Sequence, residues 1–274
     1  MSKVIVLYHA GCPDGFGSAW SFYKKYGDKA SYIPVTFSAE PPDVTGATVF
    51  IVDFSYSRPI LEKMHEAADS LVVIDHHKTA EESLRGLPYC HFDMNHSGAY
   101  LSWKYLFGED NVPLLVQYIE DRDLWNWKLK SSEEILSALD SYPKSFATWD
   151  LLDKQLDKIG SETWFRLYLE GSAILRYKNC LIDRVKQREH IIKIGEDNIR
   201  AVNAPFFQSE MGNQLADGEK YAAVYFYDGE KYIFSLRSRE GGEDVSEVAK
   251  RFGGGGHKGA SGFSVVNISE LEEK

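Results

Sequence analysis

Asp75-His76-His77 closes the apolar run Leu71-Val72-Val73-Ile74. A buried strand that stops at an acid and two imidazoles delivers them to the carboxyl end of a sheet, where open α/β folds bind their ligands. Carboxylate and imidazole together suit Mn²⁺, Zn²⁺ or Fe²⁺. Two more apolar runs stop in the same way. Residues 4–8 end at His9, with Cys12-Pro13-Asp14-Gly15 close behind, and residues 48–52 end at Asp53. A fourth set, Glu120-Asp121-Arg122-Asp123, follows the apolar Val116 and Ile119. One strand-end Asp alone is more often a helix cap, and one His alone is as often a core residue. Asp14, Asp53, Asp75, His76 and Asp121 together point to a metal site, because a cation relieves the repulsion among gathered carboxylates.

A second signal is Gly253-Gly254-Gly255-Gly256-His257-Lys258-Gly259-Ala260-Ser261-Gly262. Successive glycines let a backbone approach a ligand closely and turn several N–H groups towards an anion. His257 and Lys258 add polar or positive contacts, and Arg237-Ser238-Arg239 supplies further anion contacts. The run is flanked by a helix pattern and a strand pattern, which argues against a flexible linker. It lacks the Gly-Lys-Thr ending of a P-loop.

These residues need elements to position them. The spacing predicts buried strands at residues 4–8, 48–52 and 71–74, a peripheral strand at 32–35, and helices near 16–26 and 58–68. Strands alternating with helices predict an α/β fold whose parallel sheet is covered on both faces. From residue 97 to 187 the pattern is helical, with stretches from Ser132, over 149–159 and over 162–187; Gly160 and Gly171 are candidate breaks. After Gly195 strands return at 199–202, 221–227 and 232–236, the last two joined by Asp228-Gly229, a strong hairpin signal. A helix near 245–252 and a strand near 263–266 flank the glycine run.

The chain has 274 residues, 43% of them apolar, enough for one large or two modest domains. Its formal net charge of −10 disfavours a duplex nucleic-acid partner, which would need a basic footprint. No apolar run approaches the roughly 20 residues of a membrane span. Met1-Ser2-Lys3 leads into a strand pattern without signal-peptide anatomy, and the cysteines Cys12, Cys90 and Cys180 are odd in number and far apart. Both features predict a cytoplasmic protein with no membrane partner.

The chain resembles the DHH superfamily of phosphoesterases, in the branch with a C-terminal DHH-associated domain. The resemblance rests on His9 with Cys12-Pro-Asp14-Gly, Asp53, Asp75-His76-His77, Asp121 and residues 253–262, in the family's order. It implies a DHH domain over residues 1–187, a hinge over 188–197 and a smaller mixed α/β domain over 198–274, with a cleft between them. It implies Mn²⁺, one ion or two, with Mg²⁺, Co²⁺, Zn²⁺ or Fe²⁺ as alternatives. His9, Asp14, Asp53, Asp75, His76 and Asp121 would be the ligands, Asp53 and Asp121 being shared between two ions. His77 would contact phosphate or move a proton. Arg237, Gly255, Gly256 and His257 would hold substrate from the second domain, and Ser238, Gly254 and Lys258 stand beside them.

One departure is Cys12, where many relatives carry an acid. A thiolate there would favour Zn²⁺ or Fe²⁺ over Mn²⁺; otherwise Cys12 is a small buried residue. Either way the occupancy of one metal position stays open, as does the choice between Asp121 and Asp123. The activity so implied is two-metal hydrolysis of a short single-stranded oligonucleotide or small nucleotide. The alternatives are a phosphomonoesterase or polyphosphatase acting on pAp or polyphosphate, and a nucleotide-binding protein with a decayed centre. A homodimer stays open as an assembly. Trp125 and Trp127, just after the fourth motif, either pack in the core or stack on a base.

Overall fold

The computed structural model describes residues 3–36 and 39–272; Met1 and Ser2, which precede the first strand pattern, lie outside it. The chain divides into two compact units, Met1–Leu175 and Arg176–Lys274.

The first unit opens with β1 (Lys3–His9), α1 (Pro13–Tyr26), β2 (Ala30–Val35), β3 (Ala47–Val52), α2 (Arg58–Ala67), β4 (Ser70–Asp75), α3 (Lys78–Leu84) and β5 (Cys90–Phe92). The strands pair in the order β2-β1-β3-β4-β5, and every pairing is parallel. This order reverses direction between β1 and β3, which makes the carboxyl ends of those two strands the ligand-binding crevice of such a sheet. The period of two in each strand serves both faces. Ile5, Leu7, Val49, Ile51 and Val73 pack with Leu61 and Met64 of α2 and Leu84 of α3. Val6, Phe50, Val52 and Ile74 pack on the other face with Phe22 of α1. With both faces covered, polarity is left to the strand ends.

Four helices and the first half of a fifth complete this unit: α4 (Gly98–Phe107), α5 (Leu114–Asp123), α6 (Ser132–Ser141), α7 (Phe146–Gln155) and α8 (Glu162–Lys186). Their apolar stripes meet α1 in one core that includes Trp20, Leu115, Val116, Ile119, Ile135 and Trp149. Gly171 does not break α8. A Cβ there would lie 1.7 Å from the Glu134 carbonyl oxygen, so glycine permits helix α6 to approach closely.

The division between units falls inside α8, not at the expected 188–197. That segment instead holds β6 (His190–Ile194) and the two-residue turn into β7 (Asp197–Asn203). The second unit continues with α9 (Gln208–Leu215), β8 (Ala222–Tyr227), β9 (Tyr232–Arg237), α10 (Val245–Arg251), β10 (Gly255–Gly256) and β11 (Ala260–Val265). Its sheet order is β10-β11-β9-β8-β7-β6, antiparallel except for β7 with β8. No helix among the described residues is long and apolar enough to cross a membrane.

Candidate metal centre

β1, β3 and β4 end side by side and present His9, Asp53 and Asp75-His76-His77. Asp53 stands just past β3 with φ of 61°, a left-handed backbone that Asp adopts more readily than most residues. Asp14 comes from the first turn of α1, which begins at Pro13 and is capped by Cys12. Gly15 is required there, because a Cβ would lie 2.1 Å from the His9 carbonyl oxygen.

His76 is the hub. Its Nε2 lies 3.1 Å from Asp53 Oδ1, 3.5 Å from Asp14 Oδ2 and 3.6 Å from Asp123 Oδ2. On the far side of Asp53, Oδ2 lies 3.4 Å from His9 Nδ1 and accepts the Cys12 thiol at 3.4 Å. The potential ligand atoms fall into groups within 4.8 Å of one another: Asp14, His76 and Asp123; His9, Cys12 and Asp53; Asp53, Asp75 and His77. Asp53 therefore belongs to two of these groups and lies 3.1 Å from His76 of the remaining one.

Asp14, Asp53 and Asp75 are 3%, 2% and 0% exposed, so each would carry a large desolvation cost as an unneutralised anion. Among the described residues no lysine or arginine pairs with any of them; their charged partners are histidines. Burial, with Asp53 and Asp123 nearby, pushes the Asp14 carboxyl well above its usual range. Burial works the same way on Asp53, but hydrogen bonds with His76 and His9 overcome it and hold Asp53 well below the usual range. Burial opposes a charge on His76, yet Asp53, Asp123 and Asp14 lift it well above an ordinary imidazole. A buried set of oxygen and nitrogen donors, short of positive charge, fits a divalent cation of the Mn²⁺ or Mg²⁺ kind.

Asp75, a member of the Asp53-Asp75-His77 group, is also engaged by its neighbours. Its Oδ1 accepts the His76 N–H at 2.7 Å and lies 2.7 Å from His77 Nδ1, while Oδ2 accepts the Ser55 hydroxyl at 2.6 Å. Against the pull of burial, His77 holds the Asp75 carboxyl down at about 2. In return Asp75 raises His77 above its ordinary value, although burial acts the other way.

The fourth motif resolves in favour of Asp123. Asp121 turns away from the cluster: its Oδ1 accepts the Lys128 N–H at 2.8 Å and its Oδ2 the Leu129 N–H at 3.1 Å. Asp121 thus ties down the loop after α5 and is not among the gathered ligand atoms. Asp123, the last residue of α5, is exposed, whereas Asp121 is buried. Trp127 packs against this core, while Trp125 is 36% exposed and meets Trp127 edge-on.

Two contributors carry no motif. The N–H groups of Gly98 and Ala99, at the start of α4, donate to Asp14 at 2.7 and 2.9 Å. Helix N-termini favour such anions. Gly98 admits the neighbouring carboxylate, since a Cβ there would lie 2.6 Å from Asp53. Ser55 is the other; a lone serine after a strand gives no warning.

In the second unit the glycine run is a tight β10–β11 hairpin. His257 N–H donates to Ala260 O at 2.8 Å, and Ala260 N–H donates back at 3.3 Å. The N–H groups of Gly253 and Gly254 donate to Lys250 O and Ala249 O, closing α10. These four amides are spent inside the fold. Gly254 is dictated by packing, because a Cβ would lie 2.1 Å from Gly262 O. Lys258 O accepts the Val245 N–H at 3.0 Å. Ser238 Oγ donates to Glu243 O at 2.6 Å, and its N–H reaches Gly259 O. Arg237 crosses α9, donating to Ser209 Oγ at 2.7 Å and Ser235 Oγ at 3.1 Å. Arg239 is tied to Asp217 and Asn213 O.

With this geometry in place, known proteins give the class. The DHHA1 domain family matches residues 206–274. The uncharacterized protein R106 of Acanthamoeba polyphaga mimivirus is 32% identical over 96% of this chain and 68% of its own length. Oligoribonuclease NrnB of Bacillus subtilis is 26% identical over 80% of this chain, which spans 59% of NrnB. RecJ from Thermus thermophilus, solved in complex with Mn²⁺, shares the fold with a TM-score of 0.50 and 15% identity, over 98% of this chain and 50% of RecJ. The chain belongs to the DHH superfamily, with a C-terminal DHHA1 domain.

Proposed function

We propose that this chain is a metal-dependent phosphoesterase that hydrolyses short single-stranded oligonucleotides or small nucleotides. The observation that carries the reading is the meeting of His9, Asp14, Asp53, His76 and Asp123 around two adjoining clusters at the carboxyl ends of a parallel sheet. Those five side chains would hold Mn²⁺ or a similar ion, with Cys12 at the edge of one cluster. When bound, the metal activates water and offsets charge on the phosphoryl oxygens.

The protein's own residues supply the rest. Asp75 holds His77 by its Nδ1 and favours its protonated form, which suits His77 to proton transfer at a leaving oxygen. Ser55 and the His76 N–H hold Asp75 in place. The amides of Gly98 and Ala99 fix Asp14 by both oxygens, so it keeps one orientation. Arg237, His257 and Lys258 of the second unit are the residues proposed to contact substrate.

The net charge of −10 favours small or single-stranded substrates over duplex, and the name of the NrnB relative supports the same class. The three cysteines form no disulfide and fit a reducing cytoplasm. The test is hydrolysis of a dinucleotide with Mn²⁺. Turnover should vanish with chelator and fall by at least about 10³-fold in Asp53→Asn, a loss of roughly 4 kcal/mol of transition-state stabilisation. Activity that survives both treatments would sink the reading.

A further inference from the structure

From the sequence, Cys12 is either a metal thiolate or a small buried residue. Its surroundings separate the two. Cys12 is only half-buried, and its neighbours are polar: Sγ lies 3.4 Å from His9 Nδ1 and 3.4 Å from Asp53 Oδ2, and it accepts the Gly15 N–H at 3.1 Å. Cys90, by contrast, packs with the apolar core of the parallel sheet. Capping alone does not call for a cysteine either. Cys12 is the N-cap of α1, a position that serine, threonine, asparagine and aspartate fill best. What sulfur adds there is a soft donor.

The donors around it form a regular triangle. His9 Nδ1 and Asp53 Oδ2 are themselves 3.4 Å apart, so all three edges between Sγ, Nδ1 and Oδ2 measure 3.4 Å. One face of a tetrahedral zinc site has this size: Zn–N and Zn–O bonds of about 2.1 Å and a Zn–S bond of about 2.3 Å separate the donors by about 3.4–3.6 Å. Octahedral Mg²⁺, with bonds of about 2.1 Å, would draw neighbouring donors to about 3.0 Å. Three protein donors, with a fourth position for water, is the pattern of a catalytic zinc site. The start of α1 supports the anionic form of the sulfur, because helix N-termini favour thiolates. The neighbouring group is of another kind. Asp14, His76 and Asp123 offer two carboxylates and one imidazole and no sulfur, a set that suits a harder ion.

We infer that Cys12 is a metal ligand, its thiolate joining His9 and Asp53 around a thiophilic ion of the Zn²⁺ class, while the Asp14-His76-Asp123 group takes a harder ion such as Mn²⁺. Binding forms the sulfur–metal bond and releases to solvent the thiol proton now directed at Asp53 Oδ2. The inference rests on the metal-dependent reading given above, but ion binding is measured without turnover.

The experiment titrates the metal-free full chain with Co²⁺, a spectroscopic stand-in for Zn²⁺. A near-ultraviolet sulfur-to-cobalt charge-transfer band should appear in the native chain and vanish in Cys12→Ser, which keeps a capping oxygen, and in Cys12→Asp. By calorimetry, Cys12→Ser should bind Zn²⁺ at least about tenfold more weakly. Cys12→Asp should regain tight binding, with its preference moved about tenfold towards Mn²⁺. The native chain alone answers the question if the variants do not fold: Zn²⁺ should shield Cys12, but not the exposed Cys180, from iodoacetamide, read by peptide mass spectrometry. A native chain without the band, a band that persists in Cys12→Ser, unchanged Zn²⁺ affinity in that variant, or equal alkylation of Cys12 with and without Zn²⁺ would overturn the inference. Dinucleotide hydrolysis with Mn²⁺ is measured in parallel. Turnover without the band removes the ligand assignment alone, and the band without turnover removes the phosphoesterase reading alone.

Discussion

In the parallel sheet of the first unit, polar groups stand beyond the last apolar residue of each strand and face one another. In the mixed sheet of the second unit, Arg237, Ser238 and the glycine hairpin are bound back into their own unit. The difference follows from the two architectures. A parallel sheet covered on both faces brings its strand ends together at one edge, so residues tens of positions apart meet there. An antiparallel ribbon closes locally, so its glycines first serve its own close packing. A glycine-rich motif therefore carries weaker evidence of a ligand than strand-end acids do, because backbone approach within the fold explains it equally well.

The sharpest way to break this contrast is Gly254→Ala. If the glycine serves packing, a Cβ 2.1 Å from Gly262 O forces the hairpin apart and should cost the second unit about 3 kcal/mol. Denaturant unfolding should register that loss, while Mn²⁺ binding to the first unit stays unchanged. Undiminished stability would return Gly254 to a ligand-facing role.

Next in size is the choice between the two acids of α5. Asp123→Asn should weaken Mn²⁺ binding by at least tenfold, read by calorimetry, because it removes a donor from the Asp14-His76-Asp123 group. Asp121→Asn should leave Mn²⁺ affinity alone and instead lower stability by about 1–2 kcal/mol, through its weakened hold on the Lys128 and Leu129 amides. Reversed outcomes would restore the expectation for Asp121.

The smallest effect concerns pH in the metal-free protein. His76 and His77 have raised folded values, so the stability they contribute is full below an unfolded value of about 6.5 and is lost as pH rises through those folded values. Asp14, also raised, erodes stability in the same direction from about pH 4 upward. Asp53 and Asp75 act oppositely, their contribution being lost as pH falls through their depressed values. Melting temperature should therefore decline above about pH 6.5, and Mn²⁺ should flatten that decline. A flat metal-free profile from pH 6 to 9 would contradict the coupling described for His76 and His77.

Much of the first unit was legible in the chain, for a physical reason. Apolar runs such as residues 48–52 and 71–74 have few folded fates, and an acid or imidazole that ends such a run must lie at a strand end. Shorter elements were not legible. β5 has three residues, and α3 and α9 have seven and eight, too few for a period to emerge. β6 was read as a hinge, although Ile191-Ile192 and Ile194 before the Gly195-Glu196 turn mark a hairpin strand.

The sequence by itself determined which residue types reach the strand ends, and with them the class of chemistry. Tertiary structure decided which residue does what. Asp121 and Asp123 are equivalent as letters, but the packing of Val116 and Ile119 fixes the rotation of α5 and points only Asp123 at His76. Asp75 reads as a ligand in sequence, and the approach of Ser55 and His77 adds contacts by which it also orients an imidazole. The groups that hold Asp14 come from a helix 84 residues away, through backbone amides that no side-chain motif can announce.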